Sequence, residues 1–227
     1  MLLAFKVNES FKIEDFRPYF KYLSSKKSKQ IENFYFDKDK LRCFFSHMLL
    51  HYGIEKQAEI KIDNLDFNYN EYGKPSLNIN HNIHFNISHS GYWVVCAFSN
   101  DDVGVDVEII KNVDLKIVDR YFSKEEIYEF NTLSEEEQKE RFFDYWTLKE
   151  SFIKNIGKGL YYELSKFSII LDNDIYVKIN NIRDPDYFFK QYYLDDKHKL
   201  SICLKNSNFP EQITFLKCEE LLDGFDL

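Results

Sequence analysis

The sequence predicts an α+β fold built from two similar lobes, and three observations carry that prediction. The order strand, helices, antiparallel strands runs through the chain twice, the second time from Val103 onward. Apolar residues make up 44% of the chain and aromatics 18%, led by 22 Phe and 16 Tyr, enough to fill packed cores and to exclude a disordered chain. Only 7 Gly and 4 Pro occur, so no flexible linker separates the halves, and they share an interface with a groove between them. At 227 residues the chain is long for one small domain and short for two large ones. The boundary falls in the stretch Asn100 to Val103, giving lobes 1–102 and 103–227.

A short apolar strand opens the chain before Lys6. From Leu23 to Tyr52 the pattern is helical: Ile31, Phe34 and Tyr35 recur at helical spacing, and Leu41, Phe44, Phe45, Met48, Leu49 and Tyr52 form one stripe that ends at Gly53, with Asp37 as N-cap. Strands follow at 60–62, 65–69, 84–88 and 92–99, with a turn at NEYGKP between the second and third. Asn100-Asp101-Asp102 is a turn, which predicts a hairpin between YWVVCAF and VGVDVEI. Helices are predicted at 114–121, 123–131 and 135–155. Ser123 with Glu126 and Ser134 with Glu137 have capping-box spacing. Strands close the chain at 166–171, 174–180, 187–194, 199–204 and 213–217. DYFFKQYYL reads as an aromatic core strand and SEEEQKERFFD as a solvated helix face with an apolar back.

Charge and composition narrow the function. The net charge of −8 and pI near 5.3 lack the basic footprint of a nucleic-acid binder. The apolar run YWVVCAF is far too short to span a bilayer, and MLLAF is interrupted at Lys6, so neither a membrane span nor a secretory signal is expected. Cys43, Cys96, Cys203 and Cys218 lie far apart without a C-x-x-C pair, which fits reduced thiols in a cytoplasmic protein.

VGVDVE, Val103 to Glu108, is the stretch that composition does not explain. Asp106 and Glu108 sit two apart on a strand, so both carboxylates leave one face and repel. Alone, the pair fits a solvated edge strand. WTLKESFIK, Trp146 to Lys154, adds a helix on which Trp146, Glu150 and Lys154 share a face, with Lys149 beside them. A solvent-facing Glu150–Lys154 ion pair is the bland alternative, but Trp146 on that face implies burial. Two strand carboxylates and one helix carboxylate make a hard-oxygen site suited to Mg²⁺, with a lysine left to balance a phosphate.

VGVDVE followed about forty residues later by WTLKESFIK resembles the signature of the 4′-phosphopantetheinyl transferases, in particular the larger type similar to the surfactin-synthetase-activating enzyme. YGKP at 72–75, FNISHSG at 85–91, FSKEE at 122–126, GKGL at 157–160 and the C-terminal FPEQIT…EELL agree in order and spacing, so the resemblance covers nearly the whole chain. It implies two pseudo-twofold lobes in one chain. It also implies a reaction in which a carrier-protein serine attacks the β-phosphate of coenzyme A, phosphopantetheine moves to the serine and 3′,5′-ADP leaves. By the same resemblance Asp106, Glu108 and Glu150 are magnesium ligands, and Glu150 is also the candidate general base, directly or through a bound water. Lys154 contacts the pyrophosphate. His89, with Ser88 beside it, binds phosphate. Lys74 lies near the adenine with the backbone of Tyr72 and Gly73. Lys26, Lys29 and Arg42 hold the 3′-phosphate, although KKSK at a helix start also fits a solvated face.

Other features carry less. His47 and His51 have i, i+4 spacing that can bind zinc, but no third ligand is evident and ordinary helix-surface histidines are the better reading. His81 and His84 sit in an Asn-rich stretch with no chemical role expected. The partner implied is an apo acyl or peptidyl carrier protein. Such partners are acidic like this chain, so docking is expected on an apolar and locally basic segment, Lys111 to Phe122, with Leu115, Lys116 and Arg120 within it. A monomer is expected. The rival readings are a non-catalytic carrier-protein or coenzyme A binder and a magnesium nuclease, the latter opposed by the acidic pI and the lack of a basic track.

Overall fold

The computed structural model describes residues 1–59, 65–78, 82–223 and 225. The strand expected at 60–62 and His81 lie outside them. Twelve strands and six α-helices are described. The first half holds β1 (Leu2–Lys6), a 3₁₀ segment (Ile13–Tyr22), α1 (Ser25–Glu32), α2 (Asp37–Ala58), β2 (Phe67–Tyr69), β3 (Pro75–Leu77), β4 (His84–Ser90) and β5 (Trp93–Ser99). The second half holds β6 (Val103–Ile109), α3 (Val118–Tyr121), α4 (Lys124–Phe130), α5 (Glu135–Ile156), β7 (Phe167–Leu171), β8 (Ile175–Ile179), β9 (Ile182–Arg183), β10 (Phe188–Asp195), β11 (His198–Leu204), β12 (Thr214–Leu216) and α6 (Cys218–Leu222). The class is α+β, as the sequence predicts.

Two sheets form the centre, one in the order β12-β1-β5-β4 and one in the order β10-β11-β6. The apolar runs of β1 and β5 follow from burial on both faces. Leu3, Phe5, Val94, Cys96 and Phe98 face one core with Phe44, Phe45, Met48 and Leu49 of α2. Leu2, Ala4, Val95 and Ala97 face a second core, shared with Val103, Val105 and Val107 of β6 and Leu200 and Ile202 of β11. Alternate side chains of one strand thus serve two layers. A third core joins α4, α5 and β7 through Phe130, Phe142, Leu148, Phe152 and Phe167. The layers run α2, first sheet, second sheet, α5.

The predicted hairpin between β5 and β6 does not form. Both edges of β5 are taken by β1 and β4, so the turn after Ser99 carries the chain across to pair β6 with β11. The edges of β4 and β6 meet in another way. Asn86 Oδ1, Ser88 Oγ and Ser90 Oγ accept the N–H groups of Val105, Val107 and Ile109 at 2.9, 3.3 and 3.1 Å. Every second backbone donor of β6 is therefore satisfied by a side chain of β4, which seams the sheets along their edges.

The expected helical run from Leu23 to Tyr52 is broken into α1 and α2, because Asn33 to Phe36 turns between them. Phe36, not Asp37, takes the N-cap position of α2, and the helix continues through Gly53 to Ala58. The 114–121 helix is a 3₁₀ turn followed by α3. Both capping boxes form. β12 is the strand expected at 213–217, but it pairs in parallel with β1 in the first sheet, and Leu216, Leu221 and Leu222 enter the first core.

Candidate active site

The site is set by how α5 lies on β6. Gly104, Asp106 and Glu108 project from one face of β6 while Val103, Val105 and Val107 fill the core on the other. A Cβ at Gly104 would lie 1.9 Å from the Ser151 carbonyl oxygen and 2.4 Å from the Asn155 nitrogen. Only glycine admits the helix backbone this close. The contact brings the last turns of α5, with Glu150 and Lys154, over Asp106 and Glu108. Thr147 Oγ1 and Ser201 Oγ, 2.7 Å apart, fix the preceding turn to β11.

Asp106 is buried, with 3% of its surface exposed. Its Oδ1 accepts from Lys154 Nζ at 2.6 Å and from Ser88 Oγ at 2.8 Å, whereas its buried Oδ2 has no hydrogen-bond partner. Lys154 Nζ also donates to Ser88 Oγ at 3.1 Å and the Val105 carbonyl at 3.2 Å. The bland Glu150–Lys154 pair is thus replaced by an ion pair between helix and strand. Ser90 Oγ donates to Glu108 Oε2 at 2.8 Å. Burial and then the neighbouring Asp106 raise the Glu108 pKa above the usual carboxylate range. Burial pushes Glu150 up to about 7, with Asp106 and Glu108 adding to the shift and Lys154 opposing it. The three carboxylates therefore feel one another, and one ammonium is shared among them.

That donor set fits a hard divalent cation: carboxylate oxygens, a buried oxygen with no partner, and excess negative charge. Among the described residues no group of three His, Cys, Asp or Glu side chains, the three carboxylates of this site included, is drawn together closely enough to hold a metal ion by itself. Magnesium does not require such a group, since it retains waters and takes oxygens from a substrate phosphate.

Around this centre lie the anion-binding candidates. His89 follows the buried Ser88 on β4. Partial burial, then Arg42, with a smaller contribution from Lys154, lower its pKa below the ordinary histidine value. Arg42 pairs with Asp39 and donates from Nη1 to the Gly91 carbonyl at 3.3 Å, while its Nε has no partner. A cavity of about 320 Å³ opens between α1, α2 and the β2–β3 hairpin, lined among others by Lys26, Lys27, His47, Tyr69, Gly73 and Phe85. Lys26 Nζ lies 5.2 Å from the Tyr69 ring. Lys29 is exposed on α1 and does not line this cavity; Lys27 does. Sequence reasoning missed Lys27, because the run KKSK offers several lysines and no periodicity to choose among them.

Other expectations are corrected here. His47 and His51 are not surface histidines but 5% and 3% exposed. Burial, with help from Lys27 and His51, drives His47 down to a pKa of about 3, and its Nε2 has no partner. Lys149 does not reach the carboxylate centre. It is fully buried, donating to both oxygens of Glu126 at 2.7 Å and to the Phe167 carbonyl at 2.8 Å. Phe122, expected at a docking surface, is 2% exposed and stacks on Phe142, because the aromatic third core claims it. Lys74 Nζ reaches across to the Asn155 carbonyl at 2.7 Å and Asp102 Oδ1 at 3.3 Å, and the Tyr72 ring lies 5.5 Å from that of Tyr161.

Comparison with known proteins supplies the family. The model of the 4′-phosphopantetheinyl transferase superfamily matches residues 102–203, and an N-terminal 4′-phosphopantetheinyl transferase model matches residues 12–101. The chain is 36% identical over 211 residues to 4′-phosphopantetheinyl transferase Sfp of Bacillus subtilis (strain 168), covering 92% of this chain and 94% of that protein. It is 37% identical over 203 residues to 4′-phosphopantetheinyl transferase ffp of Bacillus subtilis, covering 88% and 90%. Identity to 4′-phosphopantetheinyl transferase gsp of Aneurinibacillus migulanus is 35% over 215 residues, covering 92% and 90%.

Proposed function

The chain belongs to the 4′-phosphopantetheinyl transferase family, and from that premise we propose that Asp106, Glu108 and Glu150 hold Mg²⁺ against the diphosphate of coenzyme A while a serine of an apo acyl or peptidyl carrier protein attacks. The enzyme is a 4′-phosphopantetheinyl transferase that modifies a carrier protein. The observation that carries the metal reading is the buried Asp106, whose Oδ2 has no partner although Lys154 and Ser88 hold its Oδ1, with Glu108 and Glu150 electrostatically coupled beside it.

The serine oxygen forms a bond to the β-phosphorus as the bond to 3′,5′-ADP breaks, and the electron pair leaves with 3′,5′-ADP. The serine proton passes to Glu150, directly or through water. When bound, magnesium supplies charge neutralisation and polarises the phosphoryl oxygens. Lys154, held by Asp106 and Ser88, presents its ammonium to the diphosphate. In phosphoryl transfer such positioning and charge stabilisation carry most of the catalysis.

The nucleotide portion enters the cavity beside Tyr72, Gly73 and Lys74. Lys26, Lys29, Arg42 and His89 supply the positive field for its phosphates, and the cavity-lining Lys27 joins them. The lobes divide as 1–102 and 103–227, the second lending β12 and α6 to the first. The carrier docks on Lys111 to Tyr121, where Lys111, Lys116 and Arg120 are exposed around half-buried Leu115, Ile117 and Tyr121. The enzyme works as a cytoplasmic monomer, a placement supported by four free cysteines. Among the described residues no helix is long and apolar enough to cross a membrane.

The deciding experiment incubates the protein with apo carrier, coenzyme A and Mg²⁺ and weighs the carrier. A gain of one phosphopantetheine arm, lost with EDTA and with Asp106→Ala, is expected. Transfer that survives both controls would remove the metal reading.

A further inference from the structure

The loop between β2 and β3 touches both the nucleotide cavity and the catalytic helix. On one side Tyr69, Gly73 and Pro75 line the cavity. On the other, Asn70 Nδ2 donates to the Gly157 carbonyl at 2.8 Å, and Lys74 Nζ donates to the Asn155 carbonyl at 2.7 Å. These are carbonyls at the end of α5, where a cation complements the helix dipole. Asn70 also shapes the loop: its Oδ1 accepts from the Tyr72 and Lys74 N–H groups at 3.0 and 2.8 Å. Gly157 ends α5 in the left-handed conformation, φ +71°, and a Cβ there would sit 2.8 Å from Lys74 Cδ and 3.1 Å from Asn70 Nδ2. The fit is close on both partners. Asn155 is tied from below as well, its Nδ2 donating to the Asp102 and Cys203 carbonyls at 2.7 and 3.0 Å. The adjacent residue toward the active site is Lys154, and Glu150 lies one turn further back.

We propose that this clasp is a positioning device, in which Asn70 transmits occupancy of the nucleotide cavity to the end of α5 and so sets Lys154 and Glu150 for transfer. The inference rests on the reading of Lys154 and Glu150 given above. Nucleotide that settles against Gly73 and Pro75 stiffens the loop. The stiffened loop holds the Asn155 and Gly157 carbonyls, and with them the final turn of α5, in one position. Asn70 touches no reacting atom and acts only through the helix end.

Asn70→Asp is the informative variant. It keeps the oxygen that accepts from Tyr72 and Lys74 but replaces the donor to Gly157 with a repelling oxygen. Two measurements read it: kinetics with coenzyme A and apo carrier, and amide hydrogen exchange of residues 153–157 with and without saturating 3′,5′-ADP. In the wild type, 3′,5′-ADP should slow exchange in that turn. In Asn70→Asp this protection should vanish and kcat should fall about 10-fold, while KM for coenzyme A and Kd for 3′,5′-ADP stay within about 2-fold. Wild-type exchange unmoved by bound 3′,5′-ADP, protection retained in the variant, or a loss confined to KM and Kd would each overturn the inference. The last outcome would make the loop only a cavity wall. A wild-type protein that transfers nothing would sink the proposed function, and the exchange arm would still judge the clasp. Should Asn70→Asp not fold, Gly157→Asn keeps the left-handed cap and crowds Lys74 and Asn70, and the same two measurements apply to it.

Discussion

Replacing Gly104 with alanine should separate the helix that carries Glu150 from the strand that carries Asp106 and Glu108. The added Cβ would meet the Ser151 carbonyl oxygen at 1.9 Å, and an ordinary contact begins at 3.4 Å. The helix must therefore retreat by about 1.5 Å, since close-packed interiors leave no slack to absorb the clash. That retreat acts on the 2.6 Å Lys154–Asp106 bond, which lies within a turn of the contact. Overpacking of this kind costs about 3 kcal/mol, or roughly 6–12 °C in Tm for a chain this long. A misplacement of about 1 Å at the reacting groups should lower transfer about 100-fold. Scanning calorimetry gives the first number. Mass-resolved carrier modification, run well below the variant's Tm, gives the second. Val105→Ala on the opposite face of the same strand is the control: it opens a core cavity and destabilises without moving the helix. If Gly104→Ala kept kcat within about 3-fold of the wild type, the claim that this backbone contact sets the carboxylate geometry would be wrong.

Further outcomes follow from the buried charges. Lys149→Met strands Glu126 in the core and should cost about 3–5 kcal/mol in urea unfolding, with much of it recovered by adding Glu126→Gln; an unaffected single variant would contradict the buried pair. Because folding raises the Glu150 pKa from 4.5 to about 7, the folded state holds the proton more tightly, and stability falls as pH rises between those values. Glu150→Gln should flatten that fall and gain about 3 kcal/mol near pH 8 without divalent cation, read from urea midpoints across pH. His47 has the opposite sign: its folded pKa of about 3 lies below the ordinary 6.5, so stability is lost as pH drops below 6.5, and His47→Met should remove that part of the acid limb. Leu115→Glu should raise KM for the carrier at least about 5-fold while leaving KM for coenzyme A unchanged, in steady-state assays with each substrate varied.

What the sequence disclosed was whatever depends on local spacing. The period-2 placement of Asp106 and Glu108, the i, i+4 placement of Glu150 and Lys154, and two capping boxes are all written in short windows, and all appear as predicted. What it hid depends on contacts distant in sequence. Lys149 and Lys154 are equally plausible phosphate ligands along the helix; only the third core, through Glu126 and Phe167, takes Lys149 away. The β5–β6 hairpin looked sound because a turn joins two apolar strands, but β1, from the start of the chain, and β4 hold both edges of β5. Burial of His47 and Phe122 is likewise a property of layers, invisible to a helical or turn pattern. The hydroxyl and amide bonds from β4 to β6 left no signature beyond the alternation of Asn86, Ser88 and Ser90.

The return of β12 and α6 to the first sheet makes the halves mutually dependent. Severing the chain after Asp102 would strip β1 of its parallel neighbour and remove Leu216, Leu221 and Leu222 from the core that Leu3, Phe5 and Phe98 help to form. The other fragment would lose the β4 hydroxyls that quench the free amides of β6. Neither piece is a portable module, and a chimaera that grafts a foreign partner half must bring residues 214–222 along with the first hundred.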